Sequence, residues 1–544
     1  MNKRRDYTAW FPLTIAVSVI LGIVLGIFMG NPFSNKEYNK QSDRKLNTIL
    51  NLISQEYVDD SINTHDLIEM SIPAILANLD PHSSYLSASE LKANQEELNG
   101  SFSGIGISFQ RMNDTIVVLE VIPGGPSDRA GLLAGDKIVT IDDTTSVGPQ
   151  MDANKVKEKL RGDKGTKVKV GIAREGQSKQ LSFVITRGDV PMTSVDASYM
   201  IDKTTGYVKV SQFGRNTYNE FIKALNSLRN EGAKRFMVDM RGNGGGFLEI
   251  AVIMVNEFLP ADKKIVSTKG RYRREENTFY SDGRGQFQEE ELVVLIDEFS
   301  ASASEVFAGA IQDNDRGLIV GNRSFGKGLV QQQFDLPDKS AIRLTIAKYY
   351  TPSGRCIQKP YNNGESAYQK DILDHYSNGE LYSKDSIKID STKIFLTSTG
   401  RKVYGGGGII PDIFVPRDTT GYSSYFAAVY GAGILQEYAL KYVTGNRSSL
   451  SQMSDYKQLL RNLPANDDLL NDFVNHAANK GIPARWYYIR QSEDVLTSVI
   501  KGLIARDVFG QSAYYPIVNR SDKTIEAALK ALNKHKAAFP ITNY

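Results

Sequence analysis

The sequence predicts a multidomain α/β (α+β) protein in which helical regions flank a sheet-bearing core. Three features carry that prediction. Apolar runs of strand length alternate with helical patterns between residues 190 and 420, as βαβ units require. Short strands separated by glycine- and proline-rich turns fill 99–189. Residues 31–98 and 421–544 carry helix-spaced apolar positions instead.

Taken in order, Met1–Tyr7 carries Lys3, Arg4 and Arg5, and Ala9–Met29 is then uncharged and apolar. About 20 such residues span a bilayer. The basic flank stays in the cytoplasm, so 1–8 reads as a cytoplasmic tail, 9–30 as a transmembrane anchor and the remainder as extracytoplasmic. A cleaved signal peptide is the alternative. Gly22, Gly26 and Gly30 fall on one helix face, the spacing of close-packed helix pairs. Leu46, Ile49, Leu50 and Ile53 mark one helix, and Asp66–Leu79 a second, ended by Asp80-Pro81-His82. A lone histidine without a partner motif favours a structural role for His82.

Strands are expected at Val118–Ile122 and Lys137–Ile141, then at Gly206–Val210 and Phe236–Met240 with a helix over Tyr218–Arg229 between the latter two. Three successive glycines, Gly244–Gly246, follow Phe236–Met240 and read as a turn. The stretch Asp297–Gln331 organises the core. An apolar run, Leu292–Ile296, precedes it; alternating serines and alanines lead into a helical pattern, Val306–Ile311; Leu318–Val320 reads as the next strand; Lys327 then lies between two glycines. This βαβ layout returns Ser302 and Lys327 to one edge of one sheet. A serine hydroxyl attacks once a base takes its proton, and a lysine is that base when burial keeps it neutral. A helix N-terminus adds free N–H groups for an oxyanion.

Plainer readings stand beside this one. Ser302 and Glu305 spell S-x-x-E, a helix capping box. Gly321–Lys327 spells G-x-x-x-x-G-K, yet Gly328 occupies the place of the magnesium-binding hydroxyl and the following Leu329–Phe334 is strand-like, against a phosphate-binding loop. The S-x-x-K strings at Ser42, Ser89 and Ser454 lack the companion motifs of β-lactam enzymes.

SASASE, then a strand, then SFGKG-x-VQ resembles the carboxyl-terminal processing proteases, also called tail-specific proteases. The resemblance implies a ClpP/crotonase-like core over 190–420, with Ser302 as nucleophile, Lys327 as general base and Gln331 positioning the lysine. Asp239–Gly246, D-M-R-G-N-G-G-G, resembles the family motif that builds half of the oxyanion hole, which implies an N–H of Gly245 or Gly246 beside that of Ala303. Phe247 stands where the family has leucine, which alters a pocket wall. DPHSSYL resembles the segment before the family's PDZ domain. Ser103–Ile107 and PGGPSDRAGLLAGD resemble a PDZ domain over 99–189, which implies that Gly104, Ile105, Gly106 and Ile107 bind a substrate carboxylate by strand addition.

TPSGR at Thr351–Arg355 resembles the family, and Gly405–Asp412 resumes its pattern after a polar insertion, about 361–393, expected as a surface loop. The helical region 421–544 lies beyond the family plan, with helices expected at Ala427–Val443, Tyr456–Leu463, Ser492–Ile504 and Lys523–His535; docking on the core or self-association as a homo-oligomer is its plain role. The implied function is a serine endopeptidase cleaving proteins with unstructured C-termini, without metal or cofactor, on the outer side of a bacterial inner membrane. The alternative is a noncatalytic PDZ scaffold. A net charge of +3 argues against a nucleic-acid surface, and the single cysteine, Cys356, excludes an intrachain disulfide. Five scattered histidines and no Cys/His cluster give no zinc pattern.

Overall fold

A computed structural model describes residues 40–534 apart from 60–61, 113, 146–147, 149–151 and 363, with side chains from residue 45. The expected tail 1–8, the anchor 9–30 and its glycines lie outside the described residues. Among the described residues no helix is long and apolar enough to cross a membrane. The chain divides into a unit ending at Ile75 and a unit beginning at Leu76. The first holds α1 (Lys40–Glu56) and nearly all of α2 (Thr64–Leu76), which ends at Leu76 rather than at the expected Leu79.

The second unit opens with β1 (Ser84–Leu86) and α3 (Ala88–Asn99). A Ser87–Glu90 capping box starts α3, and Gly100 stops it with φ +70°. β2 (Ser101–Gly104) then leads into an antiparallel module of β3 (Ile107–Met112), β4 (Thr115–Val121), α4 (Pro126–Ala130), β5 (Lys137–Ile141), β6 (Thr144–Thr145), α5 (Ala153–Leu160), β7 (Lys167–Ala173) and β8 (Leu181–Thr186). The sheet order is β3-β4-β5-β7-β8, with β6 on β5, so β3 is an edge strand. Alternating Ile and Val positions close its core, from Ile105 through Ile116 and Val118 to Ile185, with Val156 and Leu160 of α5 on top. β9 (Gly188–Pro191) pairs antiparallel with β2, so the entry and exit strands form one stem.

The core sheet has the order β10-β11-β12-β15-β16-β21. β10 (Val195–Met200) runs antiparallel to β11 (Thr205–Val210); β11, β12 (Arg235–Asp239), β15 (Glu291–Ile296), β16 (Leu318–Gly321) and β21 (Ile413–Phe414) are mutually parallel. The helices α6 (Thr217–Asn230), α7 (Leu248–Asn256) and α8 (Ala303–Asp313) supply the crossovers. β15 and β12 are buried along nearly their whole length, as parallel strands covered on both faces must be. One face packs Val208, Phe236, Val238, Val294 and Ile296 on Phe221, Leu225, Val255, Phe258 and Phe307.

A second, antiparallel sheet joins β1, β17 (Leu329–Asp335) and β13 (Lys264–Gly270) to β18 (Ala341–Tyr350), with β14 (Asn277–Tyr280) beyond β13. It carries Gln331 and presses Tyr349 into the core. The insertion corrects the expectation of a loop: it holds α9 (Glu365–Ser377), whose Tyr368 and His375 are buried. β19 (Ile394–Leu396) and β20 (Lys402–Tyr404) follow as a hairpin.

The C-terminal region is helical as expected, with two corrections. Ala427–Val443 is two helices, α10 (Ser424–Gly431) and α11 (Ile434–Gly445), because Gly433 turns the chain with φ +69°. After α12 (Arg447–Leu450) and α13 (Tyr456–Asn462), an unexpected α14 (Asn466–Asn479) precedes α15 (Trp486–Gln491) and α16 (Glu493–Phe509). α17 (Tyr515–Val518) and α18 (Lys523–Lys534) end the described chain, and Ile525, Ala528, Ala531 and Leu532 of α18 cover the other face of the core sheet against Tyr207, Met237, Val293 and Leu295.

Candidate active site

Two loops at the C-terminal edge of the parallel sheet form the site, where open α/β sheets place ligands. The first leaves β15 at Ile296. Asp297 Oδ1 accepts the N–H groups of Gly242 at 2.9 Å and Ser300 at 3.0 Å, and Ser300 Oγ donates to the Met240 carbonyl at 2.9 Å. The Asn243 carbonyl accepts Ala301 N–H at 3.0 Å and Ser304 Oγ at 2.9 Å. The serine loop and the glycine turn after β12 are thus stitched together along their length.

Ser302 sits at the N-cap of α8 with φ +56° and ψ −113°. A non-glycine residue there is strained by about 1–3 kcal/mol, and such strain collects at functional sites. Ser302 N–H donates to Glu305 Oε2 at 2.9 Å, so the capping-box reading and the nucleophile reading describe one geometry. Gly245 abuts this residue: a Cβ on it would lie 2.8 Å from Ser302 Cβ and 3.0 Å from Ala303 N, and its φ is +106°. Only glycine fits that approach. Gly245 N–H itself donates to Asn243 Oδ1 at 2.8 Å. Among the described residues, Gly246 N–H and Ala303 N–H carry no hydrogen bond.

The second loop leaves β16 at Gly321. Glu305 reaches across to it from α8: Oε1 accepts Gly326 N–H at 2.8 Å and Ser324 Oγ at 2.5 Å, and Oε2 accepts Lys327 N–H at 2.8 Å. Tyr349 Oη lies 3.2 Å from the Ser302 carbonyl and 2.5 Å from the Lys327 carbonyl. One carboxylate and one phenol therefore hold the backbones of Ser302 and Lys327 side by side. The loop N–H groups that a phosphate would need are taken by Glu305, and β17 follows instead of a helix, so the nucleotide reading fails on both counts.

Lys327 Nζ donates to Gln331 Oε1 at 3.0 Å, and Gln331 Nε2 in turn donates to the His82 carbonyl. Burial lowers the Lys327 pKa from the usual lysine value, and the Arg343 charge lowers it further; Glu305 and Asp80 pull the other way. Burial pushes Glu305 up to about 7 against four hydrogen-bond donors. His82 is held down at about 4 by burial and by the Lys327 charge, so its ring is neutral at neutral pH. Asp80 accepts Ser83 Oγ at 2.6 Å and Thr345 Oγ1 at 3.1 Å, which fastens the D-P-H-S turn to β18. The His82 carbonyl thus takes part in holding Gln331, and its ring lies against Tyr368.

Of the PDZ residues, Gly104 belongs to the β2–β9 ladder opposite Gly188. The carbonyls of Ile105 and Gly106 accept Ser127 N–H at 2.9 Å and Ile122 N–H at 3.0 Å, Gly106 has φ +75°, and Ile107 begins the edge strand β3. The loop is drawn in by its carbonyls beside an open strand edge.

Sequence reasoning missed Glu305 as a clamp, Tyr349, and Gln358, whose Oε1 accepts Gly328 N–H at 2.8 Å. The S-x-x-E spacing was the available signal for Glu305, absorbed by its capping role.

The family model of peptidase family S41 matches residues 204–364, a PDZ model matches 103–185, and a family of unknown function, DUF8443, matches 425–510. A carboxy-terminal-processing protease of Bartonella bacilliformis is 37% identical over 296 residues, 54% of this chain and 67% of the relative. The carboxy-terminal processing protease CtpB of Bacillus subtilis is 33% identical over 342 residues, 62% of this chain and 70% of the relative. The chain belongs to the carboxy-terminal processing protease family. It is therefore a serine peptidase with a PDZ domain, and the noncatalytic scaffold is set aside. In this processing protease the Phe247 ring lies 5.6 Å from the Arg215 guanidinium.

Proposed function

We propose that this protease hydrolyses peptide bonds near exposed protein C-termini through a Ser302–Lys327 dyad. Ser302 Oγ attacks the carbonyl carbon while neutral Lys327 takes its proton; Lys327 returns that proton to the leaving amine, and water releases the acyl group by the same route. Gln331 holds the amine in place. The developing oxyanion receives the Ala303 N–H and an N–H of the Gly245–Gly246 turn. The observation that supports this most is the shared grip of Glu305 on Ser302 and Lys327, with the lysine amine buried and its pKa lowered.

The PDZ domain takes a substrate tail on the edge strand β3, its carboxylate at Gly104–Ile107. The apolar run Ala9–Met29 behind Lys3, Arg4 and Arg5 supports an uncleaved anchor in a bacterial inner membrane with the catalytic body outside the cytoplasm. Digestion of a denatured protein by wild type, Ser302→Ala and Lys327→Ala, each checked for folding, tests the dyad. Both variants should lose at least about a thousandfold in rate, the scale of losing a catalytic group; cleavage at the wild-type rate in either would refute its assigned role. Extraction of the full chain at high pH tests the anchor, which predicts retention in the membrane pellet.

A further inference from the structure

We propose that Tyr368, carried by the insertion helix α9, is a positioning residue that sets the Lys327 amine through His82 and Gln331. The inference rests on the Ser302–Lys327 reading above. It gives the insertion a task in this protein's own chemistry.

Tyr368 is 4% exposed, and its ring meets Phe325 of the lysine loop. Its hydroxyl lies 2.7 Å from His82 Nε2. It also accepts Gln358 Nε2 at 3.3 Å. A phenol has one proton to donate, so with Gln358 donating to its oxygen that proton goes to His82 Nε2. His82 is then the neutral tautomer protonated at Nδ1, in keeping with its lowered pKa. The His82 carbonyl holds Gln331 Nε2, and Gln331 Oε1 holds Lys327 Nζ at 3.0 Å. On the other side, Gln358 Oε1 holds Gly328 N–H, the residue next to Lys327. One hydroxyl thus anchors both the residue that positions the amine and the backbone that bears it.

The ring has its own supports. It meets His82 edge-on, with ring centroids 5.2 Å apart, and Phe325 at 6.0 Å. Lys359 Nζ lies 4.3 Å from its centroid and 4.0 Å from that of Phe325, and pairs with Asp371 of α9 at 2.9 Å. Replacing the hydroxyl alone leaves these contacts in place, which makes Tyr368→Phe a clean probe. The charged and titratable groups that act on Lys327 are Arg343, Glu305 and Asp80, with His82 beside it; Lys359 acts on His82.

Without the hydroxyl, the His82 ring loses its hydrogen bond, the residue whose carbonyl holds Gln331 is held less firmly, and the amine gains access to water. Hydration favours the charged amine, so less free base is present at neutral pH and the difference vanishes once the lysine is fully deprotonated. The experiment compares kcat/KM of full-length wild type and Tyr368→Phe on unstructured casein from pH 6 to 10, normalised by labelling with a serine-reactive phosphonate, alongside melting temperatures and Lys327→Ala. The expected result is a loss of about tenfold at pH 7 that shrinks to under about threefold at pH 10, with KM unchanged. A loss equal at every pH, or none, overturns the proposal, since a role that leaves the protonation of the amine untouched gives no pH-dependent difference. If Lys327→Ala cleaves at the wild-type rate, the dyad reading itself fails; if that variant is inactive and the two pH profiles superimpose, only the role of Tyr368 does.

Discussion

Glu305 offers the sharpest test of what binds the two loops. The carboxylate is fully buried, and its Oε1 and Oε2 each receive two donors. In Glu305→Gln one oxygen becomes an NH2 group. If that group faces Ser324 and Gly326, the serine hydroxyl can turn and accept, and only Gly326 N–H is orphaned. If it faces the other way, Ser302 N–H and Lys327 N–H both lose their acceptor. The first arrangement costs less, about 1–3 kcal/mol for one buried orphan. That lowers the melting midpoint by roughly 2–4 °C for each kcal/mol in a domain of this size.

The pH dependence decides whether burial or the donors govern this group. A folded pKa of about 7 lies above the carboxyl value of 4.5, so the native state holds the proton more tightly than the unfolded chain. Stability from this group is then full below the unfolded value and is lost as pH rises through about 7, by ~3 kcal/mol in all. Glutamine has no such titration. The stability of wild type relative to Glu305→Gln, measured by urea unfolding, should therefore fall by about 2–3 kcal/mol from pH 5 to pH 8. A difference that stays constant over that range would mean that the four donors outweigh burial and that the carboxylate is ionised throughout.

Three further outcomes follow from the geometry. Arg343→Gln removes a positive charge that lowers the Lys327 pKa, so the rising limb of the pH–rate profile should move to higher pH while the plateau stays. Gly245→Ala places a methyl against Ser302 Cβ and Ala303 N at a φ of +106°; kcat should fall by at least about a hundredfold, the cost of a spoiled oxyanion site, in a steady-state assay of protein still folded by circular dichroism. Asp522→Ala removes both the 2.7 Å pairing to Arg241 in the glycine-turn motif and the acceptor of the Thr524 N–H at the start of α18. It should destabilise the protein by about 1–3 kcal/mol in urea unfolding.

Strand and crossover positions were legible where β-branched runs are bounded by turn residues: Lys137–Ile141 is exact, and Leu292–Ile296 and Leu318–Val320 each fall one residue short of the strand. Helix α14 was not, because its first turn, Asn466-Asp467-Asp468, reads as a polar loop until Leu469, Leu470, Phe473 and Val474 are seen buried together. The same polarity hid α9. Ala427–Val443 looked continuous because apolar spacing resumes in phase across Gly433. At the site, Ser302 and Lys327 stood out by residue type, whereas Gln331 came only through resemblance. The hold of His82 on Gln331 spans 249 residues of sequence, a distance that no local pattern crosses. Glu305 was visible in one role and hidden in the other, since capping a helix and clamping a second loop use the same two oxygens.

The account stands or falls on Ser302 being activated by Lys327. Intact-protein and peptide mass spectrometry after reaction with a serine-reactive phosphonate at neutral pH tests that directly. A single adduct on the Ser302 peptide, absent in Ser302→Ala and strongly slowed in Lys327→Ala, is the result expected. An adduct on another serine, or labelling of Ser302 at the wild-type rate in Lys327→Ala, would contradict it.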